Sequence, residues 1–423
     1  MKNFFVCLII VTIIIYFISV SNSLVINNDI ELAKLYLAGS LENLSSKDDD
    51  ETFELVYKSR DLKFKSYANL KIQGSSSSVY DKKNYNIKLF SDKDLDNKYY
   101  VNLGWGEQNK YTLKANWIDK THSRNIVTAR IVASVQKKYN LFNDTPNNGE
   151  IDGFPVEVYI NGNFWGLYTL NIPKDEWLFN MDEYNDNHLV FAASEVENST
   201  LLYELANYKD WEIEVGEKTE ENLNKFNRMI NFVINSTDEE FKENIYSYFN
   251  FDALLNYYVL SEFACLTDNV SKNTLFITYN GKIWYPSLYD LDTSWGAVFN
   301  GKSLTDYTEL NILEKNLLWE KFRRNFNNEI ADRYFQLRGD ILSKENVINN
   351  FNSFYYSIPN EILVRERKKW RNAPGYGLDQ IDNFLSVRIP LLDYHFYKMY
   401  SRDSVFIRLY EQKYFIVRKD FFY

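Results

Sequence analysis

Alternating apolar and polar residues predict a strand-rich first third of the chain. This period of two marks short strands at 53–56, 68–72, 84–89 and 111–114. In the third of these runs, Tyr85, Ile87 and Leu89 share one face, and Lys88 belongs to the opposite face. We therefore expect one side of this strand to pack on a core, with Lys88 pointing away from it.

Two hairpins are marked by Asn-Gly pairs, the strongest short signal for a two-residue turn between strands. The first hairpin covers 154–170 and turns at 161–162. The second covers 274–289 and turns at 280–281. Each pair is flanked by residues typical of strands, so both hairpins are predicted.

Helical periodicity predicts most of the remaining elements. Asn250 is placed to cap a helix whose apolar residues recur every three or four positions up to Leu266. Another helix is expected to begin near Thr121. Its buried side is expected to carry Ile126, Val127 and Ile131. Further helical segments are predicted at 172–177, 219–248 and most of 305–423, whereas 185–215 is predicted to be irregular.

Composition indicates a large aromatic core within one domain. Of the 423 residues, 45% are hydrophobic and 17% aromatic, with only 7 Pro and 15 Gly to form linkers. We find no internal repeat and no boundary of linker composition. The formal net charge of −10 is spread along the chain, which argues against a nucleic-acid partner and suits a basic protein substrate.

The first 23 residues have the pattern of a secretory signal peptide. Lys2 supplies a positive charge, 4–20 is apolar, and 21–23 carries small residues like those at a cleavage site. An uncleaved membrane anchor is the alternative. We expect a secreted or cell-surface protein whose domain covers 24–423, with no membrane span after signal removal.

Export also fits the glycosylation signals of the chain. There are five Asn-x-Ser/Thr sequons, at Asn43, Asn143, Asn198, Asn235 and Asn269. We expect Asn269 to stay unmodified, because a glycan there would block the loop that carries the candidate chemistry. Cys7 leaves with the signal, and Cys265 is expected to be a small buried hydrophobe.

The candidate chemistry lies between the helix capped by Asn250 and the end of the second hairpin. A polar loop carries Asp268 and Asn273 with four residues between them, and the returning strand ends in Asp290 and Asp292. Protein kinases place a catalytic Asp, a metal-binding Asn and a metal-binding Asp in this order. Such oxygen ligands suit Mg²⁺. The structural alternative is a capped helix, a polar loop and a hairpin ending in surface acids.

A Gly/Ser-rich run precedes the lysine-bearing strand. Residues 74–78, followed by Lys83 and Lys88, have the layout of a phosphate-covering loop and its lysine. A turn with solvated lysines is the alternative. Asp119 and Arg124 are spaced to form a local salt bridge. With only three histidines, a zinc cluster or a Ser-His-Asp hydrolase is poorly supported.

Taken together, these segments resemble the CotH kinase family, the secreted atypical kinases named after a spore coat protein. The similar blocks, in chain order, are 74–76 with 82–85, 113–125, 162–168, 268–273 and 290–296, with weaker similarity at 365–370 and 388. The most specific block is NWIDKTHSRN at 116–125.

The resemblance implies an α+β, divergent and minimal protein-kinase-like fold, with an N-terminal β-rich lobe and a mostly helical C-terminal lobe. It also implies transfer of the γ-phosphate of ATP to Ser or Thr of a protein, with Mg²⁺ or Mn²⁺ as the metal.

The resemblance further implies roles for individual residues. Asp268 becomes the catalytic aspartate, with Lys83 or Lys88 reaching the α- and β-phosphates. Metal binding falls to Asn273, Asp290 and Asp292, and which Asp is the primary ligand stays open. The implied nucleotide-binding residues are Gly74, Ser75, Ser76, Lys83, Lys114, Asn116 and Arg124.

Two departures from the family pattern bear on activity. Many members carry a Glu where this chain has Ile172, and an Arg where it has Gln73. The leading hypothesis is an active kinase for a basic, Ser-rich protein. The rivals are an inactive surface-binding protein or adhesin, and a structural coat component without a nucleotide site. The oligomeric state stays open.

Overall fold

The computed structural model describes residues 31–74, 76–304 and 307–400. It has the predicted α+β class, with a β-rich first part and a mostly helical second part. The proposed signal peptide at 1–23 and Ser75 lie outside the described residues. None of the described helices combines the length and the hydropathy that a membrane span requires.

The first part is a closed barrel of seven strands. They are β1 (Ala33–Ala38), β2 (Asp50–Lys58), β3 (Lys63–Gln73), β4 (Asn84–Phe90), β7 (Lys110–Lys114), β8 (Gly153–Ile160) and β9 (Asn163–Asn171). Their order around the barrel is β1-β2-β3-β4-β7-β9-β8. Neighbours are antiparallel except β1 and β8, which pair in parallel and close the barrel. The short pair β5 (Val101–Asn102) and β6 (Glu107–Gln108) forms a separate ribbon.

Strand β4 confirms the predicted faces. Tyr85, Ile87 and Leu89 are buried in the barrel core, and Lys88 is exposed on the other face. The hairpin of β8 and β9 is also confirmed, and it turns at 161–162. Gly162 adopts a φ of 78°, the left-handed region that this turn position requires.

A second sheet of four strands has the order β11-β10-β12-β13. The strands are β10 (Leu189–Ala193), β11 (Trp211–Val215), β12 (Thr274–Thr278) and β13 (Tyr285–Leu288). The predicted hairpin around 280–281 is confirmed by the pairing of β12 with β13. The irregular assignment of 185–215 is wrong, because it contains β10 and β11. All five residues of β10 are buried, so this central strand has no alternation to reveal it.

The helix predicted at 172–177 is also wrong, since turns occupy this segment. Lys110 on β7 forms ion pairs with Asp175 and Glu176, and Lys174 pairs with Glu214 at 2.7 Å. These contacts tie the segment to the barrel and to β11, and tertiary contacts of this kind override weak helix propensity.

Nine α-helices are described. They are α1 (Arg124–Lys138), α2 (Glu220–Asn235), α3 (Asp238–Asn244), α4 (Phe251–Ala264), α5 (Leu317–Asn325), α6 (Asn327–Arg338), α7 (Lys344–Tyr356), α8 (Asn360–Lys369) and α9 (Leu378–Met399). The predicted helices at 219–248 and in the C-terminal third up to residue 400 are thereby confirmed, whereas 401–423 lie outside the described residues.

Two of these helices position the candidate site. Helix α1 begins three residues after the predicted Thr121, and its predicted apolar side, Ile126, Val127 and Ile131, is buried. Helix α4 is capped as predicted, because the Asn250 side chain accepts a hydrogen bond from the Ala253 N–H at 2.9 Å. The helices and the second sheet share one hydrophobic core, and the barrel interior forms another.

Candidate active site

The loop that carries Asp268 is shaped by the end of α4. Cys265 caps this helix in the left-handed conformation and is buried. A 3₁₀ turn over Thr267–Val270 then presents Asp268. The Trp295 N–H donates to the Ala264 carbonyl at 2.8 Å, which ties the segment after Asp292 to the end of the helix.

Asp268 is half-buried among charged neighbours. Burial raises the pKa of its carboxyl above the usual value, and the charge of Asp290 adds to the rise. The neighbouring Thr293 hydroxyl and the Lys272 ammonium oppose it. Asp268 therefore has a stronger affinity for a proton than an exposed aspartate would have.

Asn269 holds the loop against the end of β13. Its Nδ2 donates to the Asn273 carbonyl at 3.1 Å and to the Tyr289 carbonyl at 2.9 Å. The Tyr289 N–H also donates to the Asn273 carbonyl, at 3.1 Å. Asn273 thus lies beside the residue that precedes Asp290. Since Asn269 is fully buried and its nitrogen is engaged, this sequon is inaccessible in the fold.

Asn273 and Asp290 both have backbones in the left-handed region, with φ values of 60° and 53°. Asparagine and aspartate tolerate this region better than most residues. Asn125 on α1 fixes the acidic segment, because its Oδ1 accepts a hydrogen bond from the Leu291 N–H at 2.9 Å. The most specific sequence block is thereby joined to the two aspartates.

Lys114 brings the barrel to the acidic segment. It is the last residue of β7, and its Nζ lies 3.1 Å from Asp290 Oδ1. Burial lowers the pKa of Lys114, but the charges of Asp290, Tyr289 and Asp292 outweigh burial and raise it overall. Lys114 is therefore a buried cation directed at the carboxylates.

Asp292 completes this charge cluster. Burial raises the pKa of its carboxyl well above the usual value, and the charges of Asp290 and Asp268 raise it further. Lys114 opposes the rise. Because the three aspartates outnumber the two neighbouring lysines, Lys114 and Lys272, added positive charge would stabilise their ionised forms.

A narrow crevice connects Lys114 with Asp292. Its lining includes Tyr80, Lys114, Asn116, Trp117, Asn125 and Asp292. The Asn116 backbone is left-handed, with a φ of 50°, and its Nδ2 donates to the Lys114 carbonyl at 3.3 Å. The structure therefore places Lys114 and Asn116, two of the predicted nucleotide-binding residues, beside the acidic segment.

The Gly/Ser-rich turn lies near the same crevice. Gly74 follows β3 with a φ of 105°, and Ser76 begins a 3₁₀ turn. Lys83 Nζ donates to the Ser78 carbonyl at 2.7 Å, so this lysine stabilises the turn. Gln73 Nε2 donates to the Tyr289 hydroxyl at 3.4 Å, which connects the turn to the acidic segment.

Two predicted site lysines and one arginine have other surroundings. Lys88 is exposed on β4, and Lys83 is bonded to its own turn. Arg124 is 1% exposed, with its guanidinium bonded to Asp119 and Gln380. The structure does not bring these three side chains to the carboxylate cluster. The expected pair of Asp119 and Arg124 is confirmed.

The prediction missed a buried ion pair next to the crevice. Lys82 is 1% exposed, and its Nζ lies 2.7 Å from Glu366 Oε1 and 2.8 Å from the Ala115 carbonyl. Its ammonium also stacks 4.3 Å from the ring centroid of Tyr168. A Cβ on Gly166 would lie 2.9 Å from Lys82 Cε, so this glycine leaves room for the pair.

Three of the segments that resemble the CotH kinase family meet at the ion pair of Lys82 and Glu366, namely 82–85, 162–168 and 365–370. No local signal joins Lys82 with Glu366, because 284 residues separate them. What connects the two residues in the sequence is that both lie in segments that resemble the family.

A divalent metal fits this site only together with a phosphate ligand. In the described part of the chain, no three His, Cys, Asp or Glu side chains form a metal cage. Mg²⁺ does not need one, since it is usually held by one or two carboxylates plus substrate phosphates and water. Asp290 and Asp292 would supply those carboxylates.

A comparison with known protein families identifies a family for this chain. The family model described as CotH kinase protein matches residues 70–388, which include Lys114, Asp268, Asp290 and Asp292. None of the curated proteins matches the chain. Because the matched region covers well over half of its length, the chain belongs to the CotH kinase family.

Proposed function

We propose that the chain is a secreted protein kinase that transfers the γ-phosphate of ATP to Ser or Thr of another protein. Family membership supports a CotH-type kinase or a coat-related role. The observation that carries the proposal is the approach of Lys114 to Asp290 at 3.1 Å, next to Asp292 and Asp268. In this proposal, the barrel and the helical part act as the two lobes of a divergent kinase.

The roles follow from charge and position. Asp290 and Asp292, with Asn273 nearby, would hold Mg²⁺ or Mn²⁺, which neutralises phosphate charge during transfer. Lys114 would bind the phosphates, because it is a buried cation at the crevice whose Nζ lies 3.1 Å from Asp290 Oδ1. Asp268 would orient the substrate hydroxyl and accept its proton, a role that its raised pKa favours.

A basic, Ser-rich protein remains the proposed substrate. Lys272 beside Asp268 is paired with Glu195 at 3.1 Å, and Lys174 with Glu214 at 2.7 Å. The chain as a whole carries a net charge of −10. Cations near the site are therefore already neutralised, and a positively charged segment would meet a favourable potential.

The first test measures incorporation of γ-labelled phosphate into a basic Ser-rich peptide, with Mg²⁺ or Mn²⁺. We expect Asp268→Asn and Asp292→Asn to reduce incorporation by about 10²-fold or more, because each removes a charge that transfer requires. Asp94→Asn is the matched control, since Asp94 is exposed on a turn of the barrel. Full activity in Asp268→Asn would refute the assignment.

The second candidate is a nucleotide-binding protein without turnover. It is favoured by Ile172, which is 1% exposed in the place of the Glu that many relatives carry. Without that acid, Asp290 is the carboxylate paired with Lys114. ATP with Mg²⁺ would then raise the melting temperature without any incorporation. A coat component without a nucleotide site would show neither effect.

A further inference from the structure

A second concave surface lies on the barrel side of the molecule, apart from the carboxylate cluster. This groove encloses about 600 Å³ between the β5–β6 ribbon, β7 and the segments around 144–146 and 176–181. Binding sites for small molecules span roughly 300–1,000 Å³. The groove therefore has room for a ligand of several rings.

Aromatic rings are presented along this groove. Trp105 is held rigidly, because its Nε1 donates to Asp152 Oδ2 at 2.8 Å and its ring stacks on Phe154 with centroids 5.5 Å apart. Tyr100 is 53% exposed. Trp177 lines the groove as well, beside Gly106. The groove thus offers flat apolar rings, of which the Trp105 ring is fixed in advance.

A buried hydrogen-bond donor also lines the groove. Gln108 is 3% exposed, and its Oε1 accepts from the N–H groups of Asn109 at 2.8 Å and Lys110 at 3.2 Å. Its Nε2 has no hydrogen-bond partner among the described residues. An unpaired buried donor is unfavourable, so a ligand oxygen that accepts from this Nε2 would stabilise the complex.

The charges that line the groove cancel. Lys98 and Lys110 contribute two positive charges, and Asp144 and Glu176 contribute two negative ones. A polyanion or a polycation would therefore gain little here, and a neutral polar ligand suits the groove better.

We propose that this groove binds a neutral saccharide chain. A sugar ring has an apolar C–H face that packs on Trp105 or Trp177, and hydroxyl oxygens that accept from Gln108 Nε2. No charge is needed for such a ligand. The inference is independent of the proposed phosphoryl transfer, because Asp268 and Asp292 take no part in it.

The saccharide has two possible sources. The groove continues past Asp144 and Thr145 into a stretch lined by Phe142 and Tyr285, and the exposed Asn143 of a sequon lies there. A glycan on Asn143 would start at this end of the groove. The occupant is therefore either that glycan or a saccharide from outside the chain.

The test titrates the full chain, produced without glycosylation, with maltotetraose, cellotetraose, chitotetraose and a high-mannose oligosaccharide. Binding is followed by tryptophan fluorescence and by calorimetry. We expect at least one saccharide to bind, with affinity reduced about tenfold or more in Gln108→Glu and in Tyr100→Ala. Gln108→Glu keeps the acceptor for two N–H groups and removes the donor. Tyr184→Ala, which removes an 87% exposed ring elsewhere, and Asp268→Asn should bind like the wild type.

The outcomes distinguish the two sources of the saccharide and also test the proposal itself. If glycosylated protein binds no added saccharide and Asn143→Gln restores binding, the groove holds the glycan of the chain itself. If glycosylated protein binds as well, the ligand comes from outside. No binding to any of the four saccharides, or equal affinity in Gln108→Glu and Tyr100→Ala, would overturn the proposal.

Discussion

Buried titratable side chains affect the stability of this molecule, and Glu150 is a clear case outside the site. It is 2% exposed and faces Ser287, whose hydroxyl lies 3.1 Å from its Oε1. Burial raises the pKa of Glu150 from 4.5 to about 8, and the hydrogen bonds from Ser287 and Gln136 only partly oppose this. At neutral pH the folded chain therefore holds this carboxyl in its protonated form.

The pH dependence of stability follows from this shift. Below pH 4.5 both states are protonated, so Glu150 adds no penalty. As the pH rises towards about 8, the unfolded state releases its proton while the folded state retains it, and the unfolding free energy falls. We expect Glu150→Gln to be more stable than the wild type by about 1–3 kcal/mol at pH 8 and equally stable near pH 4.

Urea denaturation at a series of pH values measures this difference. Glu183→Gln, which changes an exposed acid, should follow the wild-type curve. If the unfolding free energies of the wild type and Glu150→Gln ran parallel over the whole pH series, the pKa of the Glu150 carboxyl would not be raised in the folded state.

At the scale of elements, the loop between α4 and β12 is organised by the Asn269 side chain. It bonds two carbonyls, and the Tyr257 hydroxyl donates to the Asn269 carbonyl at 2.6 Å. The loop is therefore a rigid link between Asp268 and the acidic end of β13.

We expect Asn269→Asp to lower the unfolding free energy by about 2–4 kcal/mol, because a carboxylate oxygen would face two carbonyl oxygens. Guanidinium denaturation gives this number, and Asn187→Asp is the matched control on an exposed turn. A loss no larger than that of the control would contradict the role of Asn269. The rate of phosphoryl transfer should fall as well, because the loop that carries Asp268 would be less ordered.

Sequence patterns predict those elements whose signals are local. The Asn250 cap, the Asn-Gly turns and the two faces of β4 need only neighbouring residues to be recognised. Strand β10 lacks alternation because it is buried on both sides. The segment at 172–177 is held in a non-helical conformation by its ion pairs with distant residues. Within the candidate site, spacing predicts Asp268, Asn273, Asp290 and Asp292, whereas the approach of Lys114 to Asp290 depends on how β7 meets the segment after β13.

At the scale of the whole molecule, the buried pair of Lys82 and Glu366 joins the barrel to α8. Glu366 Oε2 also accepts a hydrogen bond from the Leu167 N–H on β9 at 2.7 Å. Burial lowers the pKa of Lys82, and the charge of Glu366 opposes this. Each charge is therefore tolerated because its partner is present.

We expect Glu366→Leu to reduce the unfolding free energy by about 3–5 kcal/mol, because it leaves the Lys82 cation buried and unpaired. The double variant Lys82→Met with Glu366→Leu should recover a large part of this loss, since no charge remains to be desolvated. Calorimetric unfolding of the single and double variants tests the coupling. A double variant as unstable as the sum of both single variants would show that the two residues act independently.

The closure of the barrel has a practical consequence for anyone who trims the chain to its family match. The match begins at residue 70, inside β3, whereas β1 and β2 lie before it. Strand β1 pairs with β8, and β2 pairs with β3. A fragment that starts at residue 70 would therefore lose the two strands that connect β3 to β8 around the barrel. Open strand edges recruit other chains. Such a fragment would be prone to aggregate, although it would keep every residue of the acidic cluster.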